Sequence, residues 1–318
     1  MLPSLYTVAK ERELYVSRRI SAIDIGSNAI RMMIADIHEQ APYLHIVKKY
    51  RAAVRLGHDV FTQGVITPAS LEIAKATFQR YALTNRELGV TKCRAVATSA
   101  SREAKNQKEF VDLIYKTSGI KIEVIDGTEE GRLIHLAVRK ELDLDNKKSM
   151  LIDIGGGSVE VTFSQGPKMI ATKSFPMGTV RILENLAKRN LTENHMNIIM
   201  GEFIGALGEH IYKNCDHDPV DFAIGTGGNL ECLGQLKGEL LKKSPQTFLT
   251  LAELTEIIDR LRSLKVKDRI EKLHLRPDRA DVIVPAAMLV QTIMRQAETE
   301  KILIPNVGLR DGLIWSML

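Results

Sequence analysis

Apolar residues fall into two rhythms along this chain, short runs of strand length and longer stretches with helical period. In the first half, 21–37 reads as strand, turn, strand, followed by strands over 44–54, 93–98 and 120–125. RLGHDVFTQG, 55–64, reads as a glycine-containing loop. TPASLEIAKATFQRYALTNREL opens with Thr67 at the N-cap and Pro68 at the first helical position. NQKEFVDLIYKTSG predicts a helix closed by Gly119, and DGTEEGRLIHLAVRKEL a helix with acidic residues in its first turn. The second half predicts strands over 150–154, 159–164 and 169–175, then helices over 179–189 and 193–214. DFAIGTGGNLECLGQL reads as strand, glycine turn and helix. Helices over 251–273 and 279–299 precede a tail of short strand, loop and terminal helix. Strands alternating with helices predict an α/β fold.

One element is written twice. AIDIGSNAIRMMI, from Ala22, and LIDIGGGSVEVTF, from Leu151, share an Ile-Asp-Ile-Gly core, a turn and a following apolar strand. The economical reading is two homologous α/β domains, each presenting one Asp-bearing glycine turn. Glycines at 155–157 are expected to supply positive φ and let backbone N–H groups approach an anion, a cup suited to phosphate. Ser158 adds a hydroxyl. In the first copy, Ser27 and Asn28 follow Gly26, and Arg31 brings a guanidinium fork that can grip phosphate oxygens. A carboxylate beside phosphate is repulsive unless a cation intervenes, so Asp24 and Asp153 imply Mg²⁺. Ordinary hairpin turns are the bland alternative, weakened by the matched pair of aspartates.

Bulk properties narrow the class. A chain of 318 residues is long enough for two cores. No apolar run approaches the roughly 18 residues of a membrane span, and MLPSLYTVAKERELYVSRR lacks the apolar centre of a secretion signal, so residues 1–18 read as an extension. Three scattered cysteines, Cys93, Cys215 and Cys232, fit a reducing, cytoplasmic setting. CDHDP, 215–219, reads as a polar loop more readily than a metal site. Net charge +5 suits an anionic partner, while 5% aromatic residues and the absence of zinc-finger spacing argue against nucleic acid.

Seven segments then carry a resemblance: IDIGSNAIR, VATSASREAKN, IEVIDGTEEGRL, LIDIGGGSVEV, FPMGTVR, GTGGN and VGLRDG. In this order they closely resemble the exopolyphosphatase and guanosine pentaphosphate phosphatase family, within the actin, Hsp70 and sugar-kinase superfamily. The resemblance implies two actin-like (ribonuclease H-like) domains, each a mixed sheet with flanking helices, facing an interdomain cleft. Domain I would take 1–130 plus 304–318, and domain II 131–303.

It also implies roles. Glu130 would orient or deprotonate the attacking water; on spacing alone, Glu129 and Glu130 equally suit the positive end of a helix. Asp153 and Glu160 would surround Mg²⁺ with Asp24 opposite. Ser27, Asn28, Arg31, Gly155, Gly156, Gly157 and Ser158 would grip phosphate, Thr98, Ser99 and Arg102 forming a third wall and Gly227 of GTGGN a fourth. Arg279 and Arg310 are looser candidates, since an arginine on a helix is commonly a solvated charge. Asp126, Ser101, Asn229 and Ala29 depart from the family pattern without removing a candidate catalytic group.

The expected activity is Mg²⁺-dependent release of terminal phosphate from inorganic polyphosphate, with Lys48, Lys49, Arg51 and Arg55 flanking a polyanion path. Guanosine pentaphosphate is the competing substrate. A small-molecule kinase and a non-catalytic guanosine tetraphosphate sensor are rivals from other classes. The chain stops soon after the GLRDG helix and so reads as the two-domain core, compatible with a homodimer and requiring no membrane.

Overall fold

The first sheet grows outward from its opening hairpin. In the computed structural model, which describes residues 17–38, 44–215 and 219–318, β1 (Ser17–Ile25), β2 (Ile30–His38) and β3 (Leu44–Ala52) form an antiparallel meander. Strands β4 (Lys92–Ala97) and β5 (Ile122–Val124) add in parallel on the other side, giving the order β3-β2-β1-β4-β5. The second sheet repeats the plan. Strands β6 (Lys148–Ile154), β7 (Val159–Gln165) and β8 (Lys168–Phe175) form the meander, and β9 (Phe222–Thr226) lies parallel to β6. With β10 (Phe248–Thr250) and β11 (Lys301–Leu303), the order is β10-β11-β9-β6-β7-β8. Read from opposite ends, the two sheets superpose in plan, and the repeat seen in the motif extends to topology.

Helices α1 (Leu56–Gln63), α2 (Pro68–Glu87), α3 (Ser99–Glu103), α4 (Gln107–Ser118) and α5 (Gly127–Glu141) belong to the first half. The second half adds α6 (Thr179–Lys188), α7 (Met196–Cys215), α8 (Gly227–Leu241), α9 (Leu251–Arg262), α10 (Val266–Leu273), α11 (Pro277–Ala280), α12 (Ile283–Gln296) and α13 (Leu309–Trp315). Local chemistry explains several boundaries. Thr67 caps α2 by accepting from Ser70 N, and Gly119 ends α4 at φ 73°. Asp126 caps α5, its Oδ1 accepting from Glu129 N at 2.8 Å. That departure from the family pattern therefore has a structural use: any short oxygen-bearing side chain can fill an N-cap.

Five expectations need correction. Residues 55–64 are not a loop: Leu56 and Val60, one turn apart, bury their side chains in α1, and Gly64 at φ 79° closes it. The helix expected over 251–273 breaks at 263–265, which lets Arg269 turn inward to bond Leu261 O and pair with Glu193. The stretch 279–299 is likewise two helices, and 193–195 is a 3-10 turn ahead of α7. The extension assigned to 1–18 ends earlier, since Ser17 and Arg18 already belong to β1; residues 1–16 lie outside the described residues, as do 216–218 of CDHDP.

Three apolar cores hold the architecture. One packs α2 and α4 on the first sheet, and a second packs α7, α8, α9 and α12 on the second. The third joins the sheets through α5 and α13, with Leu133 and Ile134 against Leu309, Leu313 and Ile314. Gly312 of α13 sits where a Cβ would collide with the Leu133 backbone of α5, so these helices touch main chain to main chain. Among the described residues, no helix is long and apolar enough to cross a membrane.

Candidate active site

The two hairpins present equivalent positions. Asp24 pairs with Arg31 across β1–β2, and Asp153 pairs with Glu160 across β6–β7. Gly26 N donates to Ala29 O at 3.1 Å in one turn, and Gly155 N to Ser158 O at 3.0 Å in the other. One structural slot thus carries a cation in the first copy and an acid in the second.

The turns face each other across one cleft, and they touch. A Cβ on Gly156 would lie 3.1 Å from Ser27 Cβ; one on Gly157 would lie 2.6 Å from Ser27 Oγ and 2.7 Å from Phe61 Cζ. None of Gly155, Gly156 and Gly157 has positive φ, which corrects the reason given for them above. Space is what Gly156 and Gly157 provide: only bare backbone lets the halves close this far. Gly227 is different, with φ 82° and room for a Cβ denied by Asp153 Oδ1 at 2.7 Å.

The cleft encloses about 80 Å³. One water needs roughly 10–15 Å³ of such space, so about half a dozen water-sized groups fit. Asp24, Ser27, Asn28, Arg31, Thr98, Ser99, Glu130, Asp153, the 155–158 turn, Gly227 and Arg279 line it. Arg102 and Glu160 do not. Arg102 stands behind Glu130, its Nη1 donating to Ile125 O at 2.6 Å and lying 4.0 Å from Glu130 Oε2.

Carboxylates crowd at the cleft. Glu130 and Asp153, which line it, and Glu160 beside them each bring an oxygen within 4.8 Å of the others. Burial, then repulsion from Glu160 and Asp153, pushes Glu130 well above the ordinary carboxylate range. Burial raises Asp153 to about 6 against the Thr226 hydroxyl, which donates to it at 2.8 Å, while Asp24 adds repulsion. Glu160 rises to about 7 by burial, opposed by a 2.6 Å hydrogen bond from Ser174 Oγ. Glu130 Oε2 and Glu160 Oε2 are buried without a hydrogen-bond partner. Crowded, orphaned carboxylate oxygens are a donor set for a hard divalent cation. Asp24 lines the same cleft but is engaged by Arg31 at 3.5 Å and stands outside this trio.

Arg31, Lys49, Arg279 and Arg310 also line the cleft, together with Glu231 and Asp311. Arg279, a looser phosphate-binding candidate by sequence, is 4% exposed. Its Nε has no partner, and among the described residues it forms no ion pair; burial and Arg31 lower it to about 10. Beyond it lies a second cavity of about 360 Å³, lined by Tyr50, Arg51, His274, Leu275 and Arg276 among others.

Further contacts fasten the closed cleft. Arg55, expected on a polyanion path, instead bonds Asp281 at 2.6 and 3.1 Å and Asn28 Oδ1 at 2.9 Å. Arg51 pairs with Asp278, whose carbonyl accepts from Asn28 Nδ2. Lys49 alone of the four named basic residues lines the cleft, and Lys48 lies over the Tyr50 ring. Arg181, which the sequence reading passed over although it closes the FPMGTVR segment, donates to Gly157 O at 2.8 Å and reaches Ser99 and Glu103 of the opposite half.

Comparison with known proteins agrees with this geometry. A model of the Ppx/GppA phosphatase family matches residues 33–318. The Exopolyphosphatase 1 of Mycobacterium tuberculosis is 26% identical over 300 residues, covering 93% of this chain and 87% of that protein. The crystal structure of an exopolyphosphatase from Cytophaga hutchinsonii aligns with TM-score 0.84 at 26% identity, over 94% of this chain and 97% of the other. The Aquifex aeolicus Ppx/GppA family member aligns with TM-score 0.77 at 28% identity, over 95% and 98%.

Proposed function

The chain belongs to the Ppx/GppA phosphatase family, with its two actin-like domains and phosphoanhydride hydrolase chemistry, and from that premise we propose that it removes the terminal phosphate of inorganic polyphosphate. The observation that carries this reading is one cleft lined both by Glu130 and Asp153, with Glu160 crowded beside them, and by the buried Arg279, which forms no ion pair among the described residues. A phosphate chain satisfies both groups if its terminal phosphoryl group sits toward these acids and the rest of the chain toward the arginines. The names of relatives such as the Mycobacterium tuberculosis Exopolyphosphatase 1 favour the polymer.

Asp153 and Glu160 are the residues to hold Mg²⁺, which when bound supplies charge neutralisation for the acids and the phosphoryl oxygens. Arg31 and Arg279 bind the non-bridging oxygens of the chain, and the hairpin backbones at 26–29 and 155–158 enclose its end. Glu130, at the start of α5, takes a proton from water as the water oxygen attacks the terminal phosphorus. The bond from that phosphorus to the bridging oxygen breaks, and the shortened chain leaves as an anion held by the arginines. Closure excludes other water, so catalysis is mostly positioning and electrostatics.

Guanosine pentaphosphate is a second reading, favoured by Tyr50 and Leu275 in the outer cavity, which offer apolar surface to a nucleoside. Free thiols at Cys93 and Cys232 suit a cytoplasmic site of action. The deciding experiment measures phosphate release from polyphosphate and from guanosine pentaphosphate side by side, with Mg²⁺ and with chelator. Polyphosphate should give the larger kcat/KM, and only with the cation. Release from neither substrate ends this reading.

A further inference from the structure

We propose that Asn229 is a positioning residue that holds the Arg279 guanidinium in the cleft and so sets the affinity for an anionic chain. It rests on the reading of the cleft as a phosphate-chain site.

Asn229 lies in the first turn of α8 and is buried. Its Nδ2 donates at 2.8 Å to the carbonyl of Ile154, the last residue of β6 before the glycine turn. Its Oδ1 accepts from Arg279 Nη1. A carbonyl can only accept and a guanidinium can only donate, so the two partners determine which way the amide faces. One carboxamide therefore ties the phosphate-facing turn to the deepest cation of the site. Gly228 leaves the room: a Cβ there would lie 3.0 Å from Arg279 Nη2.

The chemistry of the alternatives explains why this residue type matters. Aspartate could accept from Arg279 but would cancel its charge and press a carboxylate against the Ile154 carbonyl. Threonine, which the family pattern leads one to expect, has one oxygen on a shorter stem for both tasks. Asparagine bonds Arg279 and leaves its charge intact. The departure at this position thus has a direction, toward a fixed and uncancelled cation.

The test is calorimetric binding of tripolyphosphate to the full chain in chelator, for wild type, Asn229→Ala, Arg279→Ala and the double variant, with kcat and KM on polyphosphate alongside. Asn229→Ala should weaken binding about 10-fold and raise KM similarly while kcat stays within about 3-fold. Asn229→Asp should weaken it further, by about 30-fold. In the Arg279→Ala background, removing Asn229 should cost no more than about 2-fold, because its effect travels through the arginine. Should Asn229→Ala fail to fold, Asn229→Thr takes its place in the cycle with an expected loss of about 3-fold. The proposal is overturned if the wild type does not bind tripolyphosphate, if Asn229→Asp binds as wild type does, or if the Asn229 effect persists undiminished without Arg279. Binding with coupled effects but no phosphate release would sink the hydrolase reading and leave this one standing.

Discussion

Ser174 Oγ donates a 2.6 Å hydrogen bond to Glu160 Oε1 from directly across the β7–β8 pairing. Gly127, at the start of α5, has no room for a Cβ because Ser174 fills it. Ser174 therefore touches both the acidic cluster and the helix that bears Glu130. Ser174→Ala should weaken Mn²⁺ binding, read by electron paramagnetic resonance, about 10-fold, the usual scale for loss of an outer partner of a metal ligand. Ser174→Thr should restore most of it, and unaltered binding in the alanine variant would show that Glu160 needs no such support.

Glu130→Gln keeps shape and removes the base. Turnover of polyphosphate should fall by about 10³-fold, within the range for loss of general-base catalysis, with KM within about 3-fold. Near-normal turnover would remove Glu130 from the mechanism.

The raised acids make a pH prediction whose sign follows from linkage. Folding moves Asp153 from 3.8 to about 6 and Glu160 from 4.5 to about 7. The folded state thus holds these protons more tightly, and the associated stability, complete below the unfolded values, is lost as pH rises through about 6 and 7. Glu160→Gln mimics the protonated form. In chelator, its melting temperature should gain on wild type between pH 5 and 8 by about 3 °C or more. A difference that stays flat with pH would mean that Glu160 is already ionised at pH 5.

Closure depends on bare glycine. Gly157→Ala places a methyl group against Ser27, Ser99 and Phe61, so the halves cannot meet. Phosphate release should drop about 100-fold, as expected when reacting groups are displaced by about an ångström, with little change in melting temperature. Gly201→Ala, in open space, is the matched control.

Arg55 links the first half to α11 and the residue after it through Asn28 and Asp281. Both members of the ion pair are about a quarter exposed, so its contribution is about 1 kcal/mol or less. Arg55→Ala should still shift the open–closed balance up to about 5-fold, seen as a larger radius of gyration in solution scattering and a raised KM. The swap Arg55→Asp with Asp281→Arg should recover part of the loss; equal scattering from wild type and Arg55→Ala would show that the link does not govern closure.

Much of this was legible in the chain. The repeated Asp-Ile-Gly hairpins announced two related sheets, because a motif that needs a strand on each side carries its neighbours with it. What stayed hidden was tertiary. Arg279 was only a loose candidate, because an arginine on a helix is commonly solvated and its burial appears only in the folded chain. Helix α1 carries glycines at both ends of a short segment and shows only Leu56 and Val60 as buried apolar anchors, so its period is faint. Ser174 and Arg181 meet Glu160, Gly157 and Ser99 only once strands and domains have paired, and no spacing in sequence encodes that. The turn glycines were found for the wrong reason: backbone sterics suggested φ, whereas domain approach required room.

The main-chain contact between Gly312 and Leu133 makes the helix presenting Glu130 depend on a brace nearly two hundred residues away along the chain. A methyl group at 312 would pry the two helices apart, so a chain whose sheets have both formed should still be silent toward phosphate.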